Sequence, residues 1–272
     1  MRWLGLIRHA ALPFALTGAI GAGVAMADDT PRLPADLVFL RDVDPTIQQD
    51  IRYATRDNFV GRRIDGYRGA ECILTERAAR ALARVQRRMA LRDLSLRVFD
   101  CYRPRRAVLH FMRWARAKEP AIKREIYHPL YAKRELFRRG FISRNSAHSR
   151  GSTVDLAIAQ RRRLPSTGDQ KRAGRTACHT PRGAQRDGTL DFGTSFDCFH
   201  PRSATRHRSI RDKIRENRAL LVSEMARAGF RNYRKEWWHF TLRGEPHPRR
   251  VFNVPVPQHP DRRNPTEARS AD

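Results

Sequence analysis

Two short motifs far apart in the chain restrict its fold more than any other feature. The first is Ser146-Ala147-His148-Ser149-Arg150-Gly151-Ser152-Thr153-Val154-Asp155; the second is Glu236-Trp237-Trp238-His239. Two imidazoles and one carboxylate form a three-ligand zinc site that leaves one position for water. The remaining carboxylate, Glu236, can take a proton from that water, so the set has the minimum equipment of a zinc hydrolase. A working fold must therefore bring His148, Asp155 and His239 to one point, with Glu236 beside them. Gly151 and Ser152 argue against one continuous helix across the first motif, whereas a turn feeding a strand lets His148 and Asp155 converge. On a turn, the three-residue offset between Glu236 and His239 lets both face one ion.

The flanking sequence supplies such a scaffold. Thr75 can cap a helix in which Ala78, Leu82, Val85 and Met89 recur at helical spacing. Leu94, Leu96 and Val98 alternate with polar residues and predict a strand ending at Asp100-Cys101-Tyr102-Arg103-Pro104. Pro104 suits the first turn of the next helix, which buries Ala107, Val108, Phe111, Trp114 and Ala115. Arg103 thus sits at a strand-to-helix junction, a rigid place from which to aim a side chain. Residues 120–139 read as helix broken at Pro129, and Val154 to Ala159 as a strand with Asp155 near its start. A long helix is expected from about Ser203, burying Ile210, Ile214, Leu221 and Met225, with Gly229 as its stop. Phe230 to Tyr233 and Trp237 to Leu242 follow as a hairpin or two successive strands. The expectation is an α+β domain with a central, mainly antiparallel sheet flanked by helices, and the zinc site on the sheet.

The chain ends and the cysteines bear on compartment. Arg2 and Arg8 flank an apolar stretch, Ala10 to Ala25, and Ala25-Met26-Ala27 is a small-x-small cleavage site. Residues 1–27 read as an export signal, 28–256 as the folded domain, 160–190 as an exposed basic insertion or flap, and 257–272 as a flexible tail. Periplasmic or secreted localisation follows. Cys72, Cys101, Cys178 and Cys198 fit an oxidising compartment and show no Cys-x-x-Cys spacing. Pairing Cys72 with Cys101 and Cys178 with Cys198 closes two short loops. Lys and Arg number 55 against 28 Asp and Glu, a formal charge of +27. That excess reads as a solvated surface with a weak attraction to anionic cell-wall or membrane surfaces. No basic motif interleaved with aromatics points to nucleic acid.

Ser-x-His-Ser-Arg-Gly-Ser-x-x-Asp together with Glu-Trp-Trp-His resembles the zinc D-alanyl-D-alanine dipeptidases (VanX-type). Asp57-Asn58-Phe59, Tyr102-Arg103-Pro104 with Arg106-Ala107-Val108, and Gly193-Thr194-x-Phe196-Asp197 extend the resemblance over roughly residues 50 to 255. The resemblance implies one Zn2+ on His148, Asp155 and His239, and Glu236 as catalytic base. It makes Arg103 the group that stabilises the tetrahedral intermediate, Asp197 the partner of the substrate ammonium, and Ser146 a lining residue of the substrate pocket. Asp197 could instead cap the helix expected at Ser203, and Ser146 could be a turn residue. The implied substrate is D-Ala-D-Ala or a related small peptide, hydrolysed in cell-wall peptide turnover. A D,D-carboxypeptidase acting on peptidoglycan stem peptides would use similar chemistry. A basic binding protein for an anionic polymer would explain the charge but would leave Glu236 without a task. The long insertion before Asp197 departs from the smallest members of that family and leaves substrate size open.

Overall fold

The computed structural model describes residues 1, 32–118, 120–161, 176–181 and 188–262. The chain divides into Met1–Thr30 and Pro31–Asp272, and every element below belongs to the second unit. The export signal at 1–27 lies outside the described residues except for Met1, as do most of the 160–190 insertion and the tail from residue 263. Among the described residues no helix is long and apolar enough to cross a membrane.

β1 (Leu37–Phe39) runs into a one-turn helix, α1 (Leu40–Val43), and β2 (Gln48–Gln49) follows. β3 (Ile73–Thr75) leads into α2 (Glu76–Ala90), then β4 (Leu94–Asp100) and α3 (Arg105–Trp114). α4 (Ala121–Tyr127) and α5 (Lys133–Arg139) stand on either side of Pro129. β5 (Thr153–Gln160), α6 (Asp212–Arg227), β6 (Phe230–Asn232) and β7 (His239–Leu242) complete the order. β1 and β3 form a small antiparallel pair; the main sheet has the order β2-β4-β5-β7-β6. Only β2–β4 is parallel in that sheet, so it is mixed but mainly antiparallel.

The core forms where the periodicities place it. Ala78, Leu82, Val85 and Met89 of α2 are fully buried, and so are Leu96 and Val98 of β4 and Val154 to Ala159 of β5. Burying one such side chain is worth roughly 1.5–3 kcal/mol. β5 is central and covered on both faces, so it reads as a continuous apolar run interrupted only by Asp155.

Two local expectations are corrected. Thr75 occupies the position before α2 without capping it; its Oγ1 pairs instead with Ser152 Oγ at 2.8 Å and ties β3 to the turn entering β5. The long helix starts at Asp212, not Ser203, and Pro201–Ser203 is a single 3-10 turn. The reason lies in Arg218, whose buried guanidinium takes the carbonyls of Arg202 (2.9 Å) and Ala204 (2.6 Å). A helix would need those acceptors for its own ladder. Asp197 therefore caps no helix at Ser203.

Both expected disulfides are present, Cys72–Cys101 and Cys178–Cys198. Cys178 is fully buried and its N–H donates to Ile126 O at 2.9 Å. Within the insertion, Cys178 is thus pinned, as its pairing with Cys198 implies.

Candidate active site

Three neighbouring strands place three polar side chains in one row. In the sheet register Asp155 of β5 is paired with His239 of β7 on one side and with Asp100 of β4 on the other. The β4–β5 register shifts between Val98 and Asp100. That bulge matters because side chains alternate along a strand: it turns Asp100 onto the face occupied by Asp155. His148 enters from the 3-10 turn Ala147–Arg150, ended by Gly151 at φ +79°, directly before β5.

His148 Nε2 lies 3.2 Å from Asp155 Oδ2, His239 Nδ1 2.9 Å from Asp155 Oδ1, and the two imidazole nitrogens 3.2 Å apart. One ligand atom from each residue falls within 4.8 Å of the others, the arrangement of a group that could hold a metal ion. Asp155 Oδ1 is buried and, despite the nearby nitrogen, accepts no hydrogen bond. A buried carboxylate oxygen without a donor is costly, and a cation between it and the two imidazoles would satisfy it; the donor set fits zinc. His148 is oriented from behind. Its Nδ1 lies 2.7 Å from Cys101 O, which fixes Nδ1 as the protonated nitrogen and frees Nε2 as a ligand. Burial alone would raise the Asp155 carboxyl, but His148 and His239 outweigh it and hold Asp155 well below the usual carboxylate range.

Glu236 sits on the turn between β6 and β7, Oε2 being 3.8 Å from His239 Nδ1. Burial, then the charges of Asp155 and Asp197, push its carboxyl well above the ordinary value. Such a carboxylate is a stronger base than a solvated one. The turn is held by Asn232, whose amide donates to the carbonyls of Glu236 (3.0 Å) and His239 (3.1 Å).

Arg103 is buried at the β4–α3 junction. Its Nε and Nη2 grip Asp100 Oδ2 at 2.9 and 2.7 Å, and Nη2 is 3.6 Å from Asp155 Oδ2. The guanidinium packs over the rings of Tyr53 and Phe111 at 5.0 and 5.2 Å. Burial opposes its charge, but Asp100 and the neighbouring acids more than offset that and keep it cationic. Tyr67 completes the brace by donating from its hydroxyl to Asp100 Oδ1 at 2.5 Å.

Asp197 is 5% exposed and adopts φ +58°, a backbone conformation that aspartate reaches more readily than most residues. Tyr53 donates its hydroxyl to Asp197 Oδ2 at 2.9 Å. Burial, then Asp155, push this carboxyl well above its ordinary value; it is a site that gains from a cation. The loop bearing Asp197 is clamped onto the Glu236 turn. Phe192 stacks on Trp237 at 4.1 Å, and Trp237 Nε1 donates to Thr194 Oγ1 at 2.8 Å.

All seven residues singled out from the sequence line one cavity of about 730 Å³: Ser146, His148, Asp155, Asp197, Glu236, His239 and Arg103. Ser146 lies in its wall at the position preceding the His148 turn. Sequence reasoning passed over Asp100 and Tyr53. Asp100 opens the block that contains Arg103, and an acid three residues before a rigidly held arginine was its signal. Tyr53 precedes the Asp57-Asn58-Phe59 block, and Asn58 ties that loop by donating to the carbonyls of Arg52, Thr55 and Arg62 at 3.2, 2.8 and 2.9 Å.

A family model described as D-ala-D-ala dipeptidase, of the M15 peptidases, matches residues 34–168 and 161–257. A D-alanyl-D-alanine dipeptidase of Streptomyces coelicolor is 34% identical over 227 residues, covering 82% of this chain and 100% of the relative. One from Enterococcus faecium is 34% identical over 218 residues, covering 80% of this chain and 96% of its own length. A more distant one, from Escherichia coli, is 28% identical over 207 residues, with 76% and 84% covered.

Proposed function

Since the chain belongs to the D-Ala-D-Ala dipeptidase family of metallopeptidases, we propose that it hydrolyses D-Ala-D-Ala at the His148–Asp155–His239 centre. The observation that carries this reading is the placement of Asp197, buried against Tyr53 in the cavity that also holds the metal-ligand group. In this reading the substrate ammonium pairs with Asp197, and a single residue separates it from the scissile amide. An acylated amine would leave Asp197 buried and unpaired, so a longer N-terminal peptide is rejected.

His148, Asp155 and His239 would hold one zinc ion. Bound there, zinc supplies a Lewis acid that polarises the scissile carbonyl and acidifies water. Glu236 accepts a proton from the attacking water as its oxygen bonds to the carbonyl carbon. The charge that develops on the carbonyl oxygen faces the Arg103 guanidinium, which stabilises it more than the neutral ground state. Glu236 then delivers its proton to the amide nitrogen, the C–N bond breaks, and two molecules of D-alanine leave. Asp100 holds Arg103 in position throughout. Residues 1–27 direct export in this reading, which sets the enzyme to cell-wall peptide turnover outside the cytoplasm; Asp28 at the N-terminus of the periplasmic or secreted protein is its check.

The deciding assay compares free D-Ala-D-Ala with N-acetyl-D-Ala-D-Ala on the zinc-loaded mature protein. The free dipeptide is expected to be cleaved at least a hundredfold faster (on the order of the cost of an unpaired buried charge). Equal rates would overturn the dipeptidase reading.

A further inference from the structure

The active-site cavity changes sign from floor to mouth. Its buried floor holds Asp155, Asp197 and Glu236, whereas its exposed edge, supplied by α5 and the loop after it, presents Arg134, Arg138 and Arg144. Of these, Arg138 faces Glu135 at 3.6 Å. Arg144 lies over the Phe137 ring at 5.7 Å, and among the described residues neither it nor Arg134 has a carboxylate partner. The cationic edge continues past the mouth. Arg138 and Phe141 also line a second cavity of about 630 Å³, together with Arg139 and Lys235.

The cavity, about 730 Å³, lies well inside the ~300–1,000 Å³ range of pockets for drug-sized ligands. Two alanine residues would fill only part of it. The ammonium end of a substrate is fixed at depth by Asp197, so the portion released as the amine product extends toward the mouth. There it meets three guanidinium groups, and the acids among the lining residues are Asp155, Asp197 and Glu236 of the floor.

We propose that this edge is a subsite for the leaving portion of the substrate, and that it selects dipeptides whose C-terminal residue bears a second carboxylate. The inference rests on the dipeptidase reading and adds to it the chemistry of the C-terminal residue. Arg134, Arg138 and Arg144 act as specificity-determining residues through charge at the mouth; the reacting atoms lie deeper.

The test uses zinc-loaded mature protein at low salt and compares D-Ala-D-Glu with its neutral isostere D-Ala-D-Gln. The acidic substrate is expected to have a kcat/KM on the order of five- to tenfold higher, from exposed charge pairs that are individually weak. The ratio should approach one in Arg134→Gln/Arg138→Gln/Arg144→Gln, and should shrink in the unaltered protein as salt is raised. A ratio of one in the unaltered protein, or a preference that survives both the triple variant and high salt, overturns the subsite. Absence of hydrolysis of any D,D-dipeptide would instead remove the dipeptidase reading itself. The salt series stands even if the triple variant fails to fold.

Discussion

Asp155 and His239 are register partners on adjacent strands, and Oδ1 of the first lies 2.9 Å from Nδ1 of the second. Side chains that face each other across a sheet are held by the ladder itself, so this candidate ligand pair is only as mobile as the sheet. His148 joins them from a turn, its Nδ1 2.7 Å from the carbonyl of Cys101 just beyond β4, so that three elements share one centre.

Asp155→Ala should therefore lose metal with little loss of fold. Purified wild-type protein is expected to bind about one zinc per chain and to melt higher with zinc; at a hundred times its dissociation constant zinc adds ~2.7 kcal/mol. The variant should show neither effect. Full zinc occupancy in Asp155→Ala, by elemental analysis, would count against the ligand set.

Glu236→Gln keeps the size of the side chain and removes the proton acceptor. Since Glu236 lies 3.8 Å from His239 Nδ1 and is not one of the three residues that could hold an ion, metal content should stay unchanged while kcat falls by ~10²–10⁴. Retained turnover would remove Glu236 from its role.

Arg103→Lys keeps a positive charge but loses the fork that grips Asp100 at 2.9 and 2.7 Å. A charge needed mainly in the transition state should lower kcat by ~10²–10³ and leave KM little changed. A rise in KM at constant kcat would show that Arg103 serves ground-state binding instead.

The pH profile follows from the buried acids. Protonated Glu236 cannot accept a proton, so kcat falls as pH drops through its pKa. Burial raises that pKa first, and the charges of Asp155 and Asp197 raise it further. Asp197→Asn removes one of these charges, so the acid limb of kcat on the metal-loaded enzyme should move to lower pH, with a higher KM from the lost ammonium partner. An acid limb that moves upward would contradict this electrostatic account.

The two disulfides should act on different parameters. Cys72–Cys101 closes a separation of 29 residues and Cys178–Cys198 one of 20; each contributes ~3 kcal/mol by constraining the unfolded chain. Cys101 O is also the partner of His148 Nδ1 at 2.7 Å. Cys72→Ala/Cys101→Ala should thus lose zinc to a chelator faster, whereas Cys178→Ala/Cys198→Ala, which frees the residue next to Asp197, should raise KM. Urea midpoints and chelator inactivation rates separate them.

Much of the scaffold is legible in the sequence because it depends on local periodicity. The helical spacing over Ala78 to Met89, the alternation from Leu94 to Val98 and the Pro129 break all become the elements they imply. The start of α6 is not legible at Ser203, because the carbonyls a helix would use there are taken by Arg218 from a later segment. Thr75 has a capping residue's chemistry, but a partner distant in sequence, Ser152, claims its hydroxyl. Tyr53 and Asp100 escape notice because each acquires its meaning from a contact, with Asp197 in one case and with Arg103 and Tyr67 in the other.

The chain alone determined which side chains are able to bind a metal, accept a proton or hold a cation, since that chemistry resides in residue types and in spacing along a turn. Tertiary structure decided that Asp100, Asp155 and His239 lie in one row, that a bulge in β4 turns Asp100 toward its neighbour, and that arginines end up at the mouth above an acidic floor. Strand register and long-range pairing are set by the packing of the whole sheet, and no window of sequence contains them.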